Sequence, residues 1–191
     1  MSPSNLPPMQ RLPTRLDGLA LLAPRVFGDD RGFFAETWRA DAWTEHGVPA
    51  TWAQDNHSRS RRGTVRGMHF QTDPGQGKLV RCARGSVWDV VVDVRRGSPT
   101  FGEWEGAVLD DESHHQLWIP IGFAHGFCVL SEAADFVYKC TSVYDPATER
   151  GFRFDDPEVG IEWPDLELLC SERDRSAPRL SEIAAELPFS V

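Results

Sequence analysis

Lysine is nearly absent from this chain of 191 residues, which has Lys78 and Lys139 against eighteen arginines. Tyrosine is as scarce, since Tyr138 and Tyr144 are the only two. Where arginine supplies almost all the positive charge, a remaining lysine marks a position at which a compact ammonium group with an adjustable pKa is useful. Lys78 is the stronger functional candidate of the two lysines, because it lies in the one basic segment of the chain, residues 59–84.

Cysteine and membrane signals are also sparse. The four cysteines form no C-x-x-C pair and have no histidine at zinc-finger spacing, which predicts reduced, mostly buried thiols and a cytoplasmic location. The apolar run over residues 19–23 is too short to span a membrane, so no membrane partner is expected. The cysteines are Cys82, Cys128, Cys140 and Cys170.

Several catalytic signatures are missing. There is no Gly-x-Ser-x-Gly, no Gly-x-Gly-x-x-Gly and no Gly-Lys-Ser/Thr, so an α/β-hydrolase nucleophile, a Rossmann site and a P-loop are not predicted. A formal net charge of −9 argues against a nucleic-acid partner, although a local basic cluster can still hold a small anion.

Short strands separated by turns make up most of the chain, which predicts one all-β sandwich or barrel domain over residues 14–191. Residues 1–13, rich in proline and serine, are expected to form a flexible tail. Short helices are predicted over residues 41–46 and 176–186, the second with Ser176 as its N-cap. The predicted strands cover residues 19–24, 33–37, 52–58, 63–71, 78–83, 86–94, 104–109, 116–119, 124–130 and 135–144.

Strand periodicity assigns side chains to faces. Over residues 86–94, Trp88 and the even-numbered valines share one face, and Asp89 and Asp93 share the other. A strand over residues 135–144 would likewise place Tyr138 and Tyr144 on one face. One phenol could then act as an acid while the other stacks on a ring.

His69 lies in the basic segment, which holds seven Arg or Lys residues and a single acid, Asp73. An imidazole there indicates a proton-transfer group beside an anion-binding surface. The plainer interpretation is a core histidine under a basic surface stripe. A metal site is disfavoured because Gly67 and Gln71 occupy the positions two before and two after His69, although three histidines from separate strands remain an alternative.

The remaining chemistry is acid–base catalysis. A neutral imidazole suits removal of a carbon-bound proton, and a carboxylate on its other nitrogen would fix its tautomer. Lys78 could stabilise an enolate, and a tyrosine could return a proton. These residue types fit epimerisation next to a ketone. Spacing does not choose the orienting carboxylate among Asp89, Asp93, Glu172 and Asp174.

Nine short motifs carry a resemblance, and they run in order over about residues 19–180. Any one is weak, but together they resemble the cupin-type dTDP-4-dehydrorhamnose 3,5-epimerase family. The matching segments are FGDDRGFF (27–34), QDNHS (54–58), RGMHFQ (66–71), QGKLVR (76–81), SPTFG (98–102), WIP with GFAHGF (118–127), YK (138–139), GIEWP (160–164) and SERD (171–174).

The resemblance implies a cupin-type β-jelly roll with short helices mainly near the C-terminus, a homodimer, and no cofactor or metal. It implies conversion of dTDP-4-dehydro-6-deoxy-D-glucose to dTDP-4-dehydro-L-rhamnose by inversion at C3 and C5, through enolate intermediates. A close alternative is an epimerase that inverts one carbon only. Two others are a non-catalytic nucleotide-sugar binding protein and a metal-dependent cupin enzyme.

The resemblance also implies residue roles. His69 would be the base, with Asp174 orienting it; Lys78 would face the C4 oxygen and Tyr138 would be the acid. Tyr144 would stack on thymine. Arg173 stands where the family often has lysine, which puts that contact in doubt. The residues implied to hold the sugar and diphosphate are Arg31, Glu36, Gln54, Asn56, Arg66, His125, Glu149 and Arg173.

Overall fold

Two antiparallel sheets form a jelly roll in the computed structural model, which describes residues 9–191. The strands are β1 (Gln10–Leu12), β2 (Ala20–Ala23), β3 (Val26–Asp29), β4 (Gly32–Ala35), β5 (Gln54–Arg61), β6 (Val65–Gln71), β7 (Lys78–Arg84), β8 (Ser86–Asp93), β9 (Trp104–Asp110), β10 (Gln116–Ile119), β11 (Phe123–Val129), β12 (Ala133–Cys140) and β13 (Glu149–Gly151). The helices are α1 (Ala40–Thr44), α2 (Glu172–Arg175) and α3 (Leu180–Ile183), followed by a 3-10 turn (Ala184–Glu186).

The strand order defines the two layers. One sheet runs β1-β2-β10-β7-β12-β5 and the other runs β13-β6-β11-β8-β9. Non-consecutive strands lie side by side in both sheets, which is typical of a jelly roll. The predicted all-β fold of the cupin type is confirmed.

The core between the sheets is built from residues that alternate along the strands. Val87 and Val91 of β8 point inward, onto Phe127 and Phe136, whereas Val90 and Val92 pack outward under the C-terminal segment. Asp89 and Asp93 share a face of β8, as the alternation of residues 86–94 predicted, and this face is the inward one, where both carboxylates are fully buried. A third cluster places α1 and Trp43 over the outer face of the first sheet.

The N-terminal prediction needs one correction. Residues 1–8 lie outside the described part of the chain, so the prediction of a tail is not tested there. Residues 10–12 were assigned to the tail, but they form β1 and pair with β2 in the register Gln10↔Ala23. Backbone pairing at a sheet edge needs no apolar pattern, so this strand left no periodic signal in the sequence.

Two predictions near the C-terminal half are wrong. The strand predicted over residues 135–144 ends at Cys140, so Tyr138 and Tyr144 do not share a strand face. The helix predicted over residues 176–186 begins only at Leu180, as α3 and the 3-10 turn, and Ser176 is instead the C-cap of the unpredicted α2, so residues 176–179 form a break between two short helices. Pro178 accounts for the break, because the residue before a proline disfavours helical backbone angles. β13 was not predicted at all.

The hairpin of β3 and β4 is a separate two-stranded sheet. At its end, Phe33 and Phe34 are 62% and 69% exposed. The Phe33 ring contacts the His114 ring, with centroids 4.4 Å apart. Large apolar side chains this exposed are unusual on a lone monomer and often mark an interaction surface.

Candidate active site

A cavity of about 630 Å³ opens between the two sheets, with β6 and β11 on one side and β7 and β12 on the other. All four residues predicted as catalytic line this cavity, together with five of those predicted to bind substrate. They are His69, Lys78, Tyr138 and Asp174, and then Arg66, His125, Tyr144, Glu149 and Arg173.

His69 is held by a carboxylate. Its Nε2 atom lies 2.7 Å from Oδ1 of Asp174, whose side chain is 6% exposed. Burial raises the pKa of Asp174, but hydrogen bonds from His69 and Ser171, with the attraction of His69, bring it below its ordinary value. Asp174 is therefore ionised at neutral pH and accepts the Nε2 proton. The Nδ1 lone pair of His69 is left free to take a proton.

Local structure fixes both partners of this pair. Ser171 caps α2 by accepting a hydrogen bond from the backbone N–H of Asp174, at 3.1 Å. On the other side, β13 runs beside β6 in the register Gly151↔His69. A Cβ at Gly151 would collide with the carbonyl oxygen of Met68 and lie 3.2 Å from Cδ2 of His69. Glycine is required there because the two strands approach so closely.

A second histidine–carboxylate pair lies beside the first. His125 faces His69 across the β6–β11 ladder, and its Nε2 atom is 2.8 Å from Oδ2 of Asp89. Asp89 is fully buried, and burial raises its pKa against the opposing effects of His125 and Lys78. Asp89, a candidate partner for His69, therefore serves His125. A charged residue at a core-facing position of β8 was the signal for this role.

Lys78 and Tyr138 come from the opposite sheet. Burial lowers the pKa of Lys78 below the ordinary value of 10.5, although Cys140, Glu149 and Asp89 act to raise it. Burial also raises the pKa of Tyr138 above its ordinary value, so its phenol keeps its proton at neutral pH. The cavity thus places a free imidazole nitrogen on one sheet, and a protonated phenol with the half-buried amine of Lys78 on the other.

Glu149 joins the groups at the cavity mouth. Its Oε2 atom accepts a hydrogen bond from the Tyr144 hydroxyl at 2.9 Å and pairs with the Arg173 guanidinium at 2.5 Å. The Glu149 bond raises the pKa of Tyr144. Arg66, an exposed residue of β6 whose Nε donates to Ser60 at 3.1 Å, adds positive charge to the cavity lining. Arg61 also lines this cavity and was not singled out from the sequence.

Four predicted residues do not line the cavity. Gln54 lies behind Tyr144, accepting a hydrogen bond from its backbone N–H at 2.8 Å and donating to Asn56 at 2.9 Å. Asn56 in turn donates to the thiol of Cys140 at 3.5 Å. Arg31 and Glu36 lie on and just after the β3–β4 hairpin, where Arg31 pairs with Asp29 and Glu36 with Arg39.

The other carboxylate candidates are engaged elsewhere or exposed. Asp93 binds Arg95, Ser98 and Thr100, which closes the loop after β8. Glu172 is exposed in α2. Within residues 9–191, no group of three or more His, Cys, Asp or Glu side chains is placed to hold a metal ion. In the same range, no helix has the length and apolar character needed to cross a bilayer.

A second cavity, of about 560 Å³, lies on the far side of β6, between that sheet and the C-terminal helices. His69 and Asp174 reach it, but Lys78, Tyr138 and His125 do not line it. The groups needed for acid–base chemistry therefore converge in the cavity between the sheets, and we assign the site to that cavity.

A jelly roll whose cavity has a histidine–carboxylate pair on one wall and a phenol and a lysine on the other fits the class of cupin-type carbohydrate epimerases. Comparison with known proteins then identifies the family. The family model described as dTDP-4-dehydrorhamnose 3,5-epimerase matches residues 13–182. The chain belongs to the dTDP-4-dehydrorhamnose 3,5-epimerase family.

Individual relatives are named as 3,5-epimerases or as a 3-epimerase. The chain is 54% identical over 165 residues to the dTDP-4-dehydrorhamnose 3,5-epimerase of Pseudomonas aeruginosa, covering 85% of this chain and 91% of that one. It is 53% identical over 156 residues to the Neisseria gonorrhoeae protein of the same name, but spans only 48% of that protein's length against 82% of its own. A 3-epimerase of Streptomyces niveus is 45% identical over 176 residues, covering 91% of this chain and 85% of that one.

A solved structure matches the whole fold. The dTDP-6-deoxy-D-glucose-3,5-epimerase of Legionella pneumophila, crystallised with dTDP-4-keto-L-rhamnose, superposes with a TM-score of 0.92 at 45% identity. The match covers 96% of this chain and 98% of that chain.

Proposed function

We propose that this protein converts dTDP-4-dehydro-6-deoxy-D-glucose to dTDP-4-dehydro-L-rhamnose by inverting C3 and C5. The observation that carries the proposal is the opposition of two groups across one cavity: His69, held by Asp174 on one sheet, faces Tyr138 and Lys78 from the other. Inversion at carbon requires removal of a proton from one face and delivery to the other, and this arrangement supplies both.

Proton removal falls to His69. With Asp174 ionised and bonded to Nε2, Nδ1 is the basic atom, and it takes the proton from a carbon next to the C4 ketone. The imidazolium that forms is stabilised by the same carboxylate. Asp174 keeps its negative charge throughout, because the pKa of its carboxyl lies below the ordinary range.

Loss of the proton leaves an enolate whose charge sits on the C4 oxygen. Lys78 is the group we assign to that oxygen: its charged form attracts the enolate more strongly in the cavity than in water, although the same burial lowers its pKa. Tyr138 then delivers its phenolic proton from the opposite face. Since C3 and C5 both flank the ketone, one enolising site serves both carbons.

The remaining polar residues are proposed to hold the nucleotide. Arg66 and Arg173 supply positive charge for the diphosphate, His125 offers a polar contact to the sugar–diphosphate, Tyr144 stacks on thymine, and Glu149 contacts the sugar. Gln54 and Asn56 act from behind Tyr144 rather than from the cavity surface. Arg173, in place of the usual lysine, keeps the charge but is fixed by its pair with Glu149.

We further propose a homodimer in which the β3–β4 hairpin of each chain completes the site of the other. Arg31 and Glu36 are outside their own chain's cavity, and the exposed Phe33 and Phe34 beside them suit burial against a partner. The sequence prediction of a cytoplasmic location also stays a proposal, which the free state of all four cysteines supports. We assign no cofactor or metal to the reaction.

A coupled assay tests the reaction. Substrate is supplied with a reductase that accepts only the doubly inverted ketosugar, and nicotinamide oxidation is followed. Wild-type protein is expected to give turnover, and Tyr138→Phe to lose it by about 10²–10⁴-fold while still enolising the substrate. No turnover by wild-type protein, with a singly inverted ketosugar accumulating, would move the protein to the single-carbon epimerases, as the Streptomyces niveus relative is named.

A further inference from the structure

Gln71 and Gln76 belong to the motifs around His69 and Lys78, yet the proposed mechanism gives neither of them a role. Neither Gln71 nor Gln76 is among the described residues that line the cavity between the sheets. Gln71 is nevertheless 4% exposed, at the end of β6 and two residues after His69. A buried carboxamide beside an active site calls for a physical explanation.

The two side chains form one hydrogen-bonded chain. Gln76 Nε2 donates to Oε1 of Gln71 at 3.2 Å and to the carbonyl oxygen of Ser142 at 2.9 Å. Gln71 Nε2 then donates to the carbonyl oxygen of Asp145 at 2.7 Å. The two amides therefore bind backbone carbonyls on either side of Val143 and Tyr144.

This chain of bonds spans the outward turn of the loop after β12, where Tyr144 also bonds to Gln54 through its backbone N–H and to Glu149 through its hydroxyl. Before it, Thr141 and Ser142 bond to the backbone of Gly77 and Gly75. After it, Thr148 accepts two bonds from Thr72. Between these anchors the chain turns outward, with Val143 66% exposed and Tyr144 44% exposed.

Carboxamides suit this position chemically. A backbone carbonyl can only accept, so each needs a donor, and an amide offers donors and an acceptor without introducing a buried charge. Glutamate at position 71 would place an acceptor against the Asp145 carbonyl. Leucine would remove this bond and leave the Asp145 carbonyl only the local bonds from Thr148 and Glu149, so the turn would lose its tie to β6.

We propose that Gln71 and Gln76 are positioning residues that hold the Ser142–Asp145 turn, and so fix Tyr144 for stacking on the nucleotide base. The inference rests on the proposed function, since it takes the ligand of Tyr144 to be the thymine of a dTDP-sugar. Gln71 extends from the same strand as His69, so the base of the reaction and the support of the nucleotide share one rigid element.

The expected effect is on binding more than on chemistry. If the turn is correctly placed only part of the time, the apparent dissociation constant for the nucleotide rises in inverse proportion to the fraction of molecules in which it is correctly placed. His69, Asp174, Lys78 and Tyr138 do not depend on this turn. The turnover rate at saturating substrate should therefore change little.

The test compares Gln71→Leu and Gln76→Leu with Gln116→Leu. Gln116 is the matched control, because it is 1% exposed and also bonds a backbone carbonyl, that of Thr37, far from the turn. We expect both turn variants to weaken dTDP binding by about tenfold in calorimetry, with kcat within about threefold of wild type. Gln116→Leu should leave both values unchanged.

Hydrogen exchange and a double variant separate positioning from general destabilisation. Amides of residues 142–148 should exchange about tenfold faster in the Gln71 and Gln76 variants and at the wild-type rate in Gln116→Leu. In a Tyr144→Ala background, Gln71→Leu should weaken dTDP binding by less than twofold, because its target is gone. If Gln71→Leu does not fold, the half-buried Gln76 carries the same comparison.

Two results would overturn the proposal. The first is that both turn variants keep the wild-type exchange rates and the wild-type dTDP affinity. The second is that Gln71→Leu weakens dTDP binding equally in the presence of Tyr144 and in the Tyr144→Ala background. Failure of the proposed function is distinguishable. Exchange is measured on the free protein, so faster exchange with no epimerase turnover would reject the reaction and leave the support of the turn standing.

Discussion

At the scale of single residues, two histidines lie side by side on β6 and β11, and each holds a carboxylate on Nε2. Their surroundings give them different tasks. Burial raises the pKa of Asp89, whereas the pKa of Asp174 is lowered because hydrogen bonds to its charged form outweigh its burial. His69 thus has a fixed negative partner, which a base needs, and His125 is left to bind.

Asp174→Asn tests this assignment. The asparagine amide would donate to Nε2 of His69, so the ring proton would move to Nδ1 and the base would lose its lone pair. We expect kcat/KM to fall by about 10²–10⁴-fold with dTDP affinity retained, measured by assay and calorimetry.

Asp135→Asn is the matched control. Asp135 also contacts a histidine, His57, at 3.3 Å, but outside the cavity. The activity of the Asp135→Asn variant should stay within about twofold of wild type. Equal losses in the two variants would mean that the Asp174 effect is structural and not tautomeric.

The role assigned to Lys78 predicts that catalytic activity depends on pH. Its charged form stabilises the enolate and exists below its pKa, so activity should be lost as pH rises through that pKa. Burial lowers the pKa of Lys78 below 10.5, although the nearby Cys140, Glu149 and Asp89 act to raise it. We therefore expect kcat/KM to begin to fall below pH 10.5. Tyr138 must keep its proton to act as the acid, but burial raises its pKa above 10.0, so a limb below pH 10 is assigned to Lys78.

Lys78→Arg provides the comparison for the alkaline limb. A guanidinium stays charged throughout the accessible range, so the variant should have lower activity but a limb moved to higher pH. The profile is measured as kcat/KM from pH 6 to about pH 10.5. An unmoved limb in Lys78→Arg would assign the ionisation to another group.

At the scale of elements, the sequence predicted most strands within a few residues, because alternation of buried and exposed side chains is a local property. β10 was predicted with its observed bounds, Gln116–Ile119. β13 was missed because its three residues carry no alternation, and its place is set by pairing with β6. The end of β12 at Cys140 was missed too, so Tyr144 reaches the cavity from a loop.

The approach of β13 to β6 can be tested with Gly151→Ala. The added methyl group would meet the Met68 carbonyl, so β13 must move and His69 lose its support. We expect a loss of about 1–3 kcal/mol in the free energy of unfolding, together with reduced kcat. Arg150→Ala, at an exposed neighbour in β13, should change stability by less than about 0.5 kcal/mol. Wild-type activity in Gly151→Ala would contradict the packing described for this strand.

At the scale of the whole molecule, the sequence carries less information. The choice of Asp174 over Asp89, Asp93 and Glu172 depended on which strands become neighbours, since Asp174 lies 105 residues from His69 in the chain. The resemblance supplied that choice, and spacing alone left it open. The separation of Arg31 and Glu36 from the cavity could not be predicted either, because it depends on where one hairpin projects.

Mixing two inactive variants tests the shared site. A chain with Arg31→Ala and Glu36→Ala lacks a functional hairpin, and a His69→Ala chain lacks the base. If hairpins are exchanged, each mixed dimer has one intact site, so equal amounts of the two should recover about a quarter of wild-type activity after subunit exchange. No recovery, with mixed dimers demonstrated by native mass spectrometry, would place each hairpin in its own chain's site.

In the proposed mechanism, one cavity enolises both carbons beside the ketone. Incubation of the wild-type protein with dTDP-4-dehydro-6-deoxy-D-glucose in D₂O, followed by NMR of the sugar, tests it most directly. We predict deuterium at both C3 and C5, with both positions losing exchange together in His69→Ala. Deuterium at a single carbon, or at neither, would contradict the account.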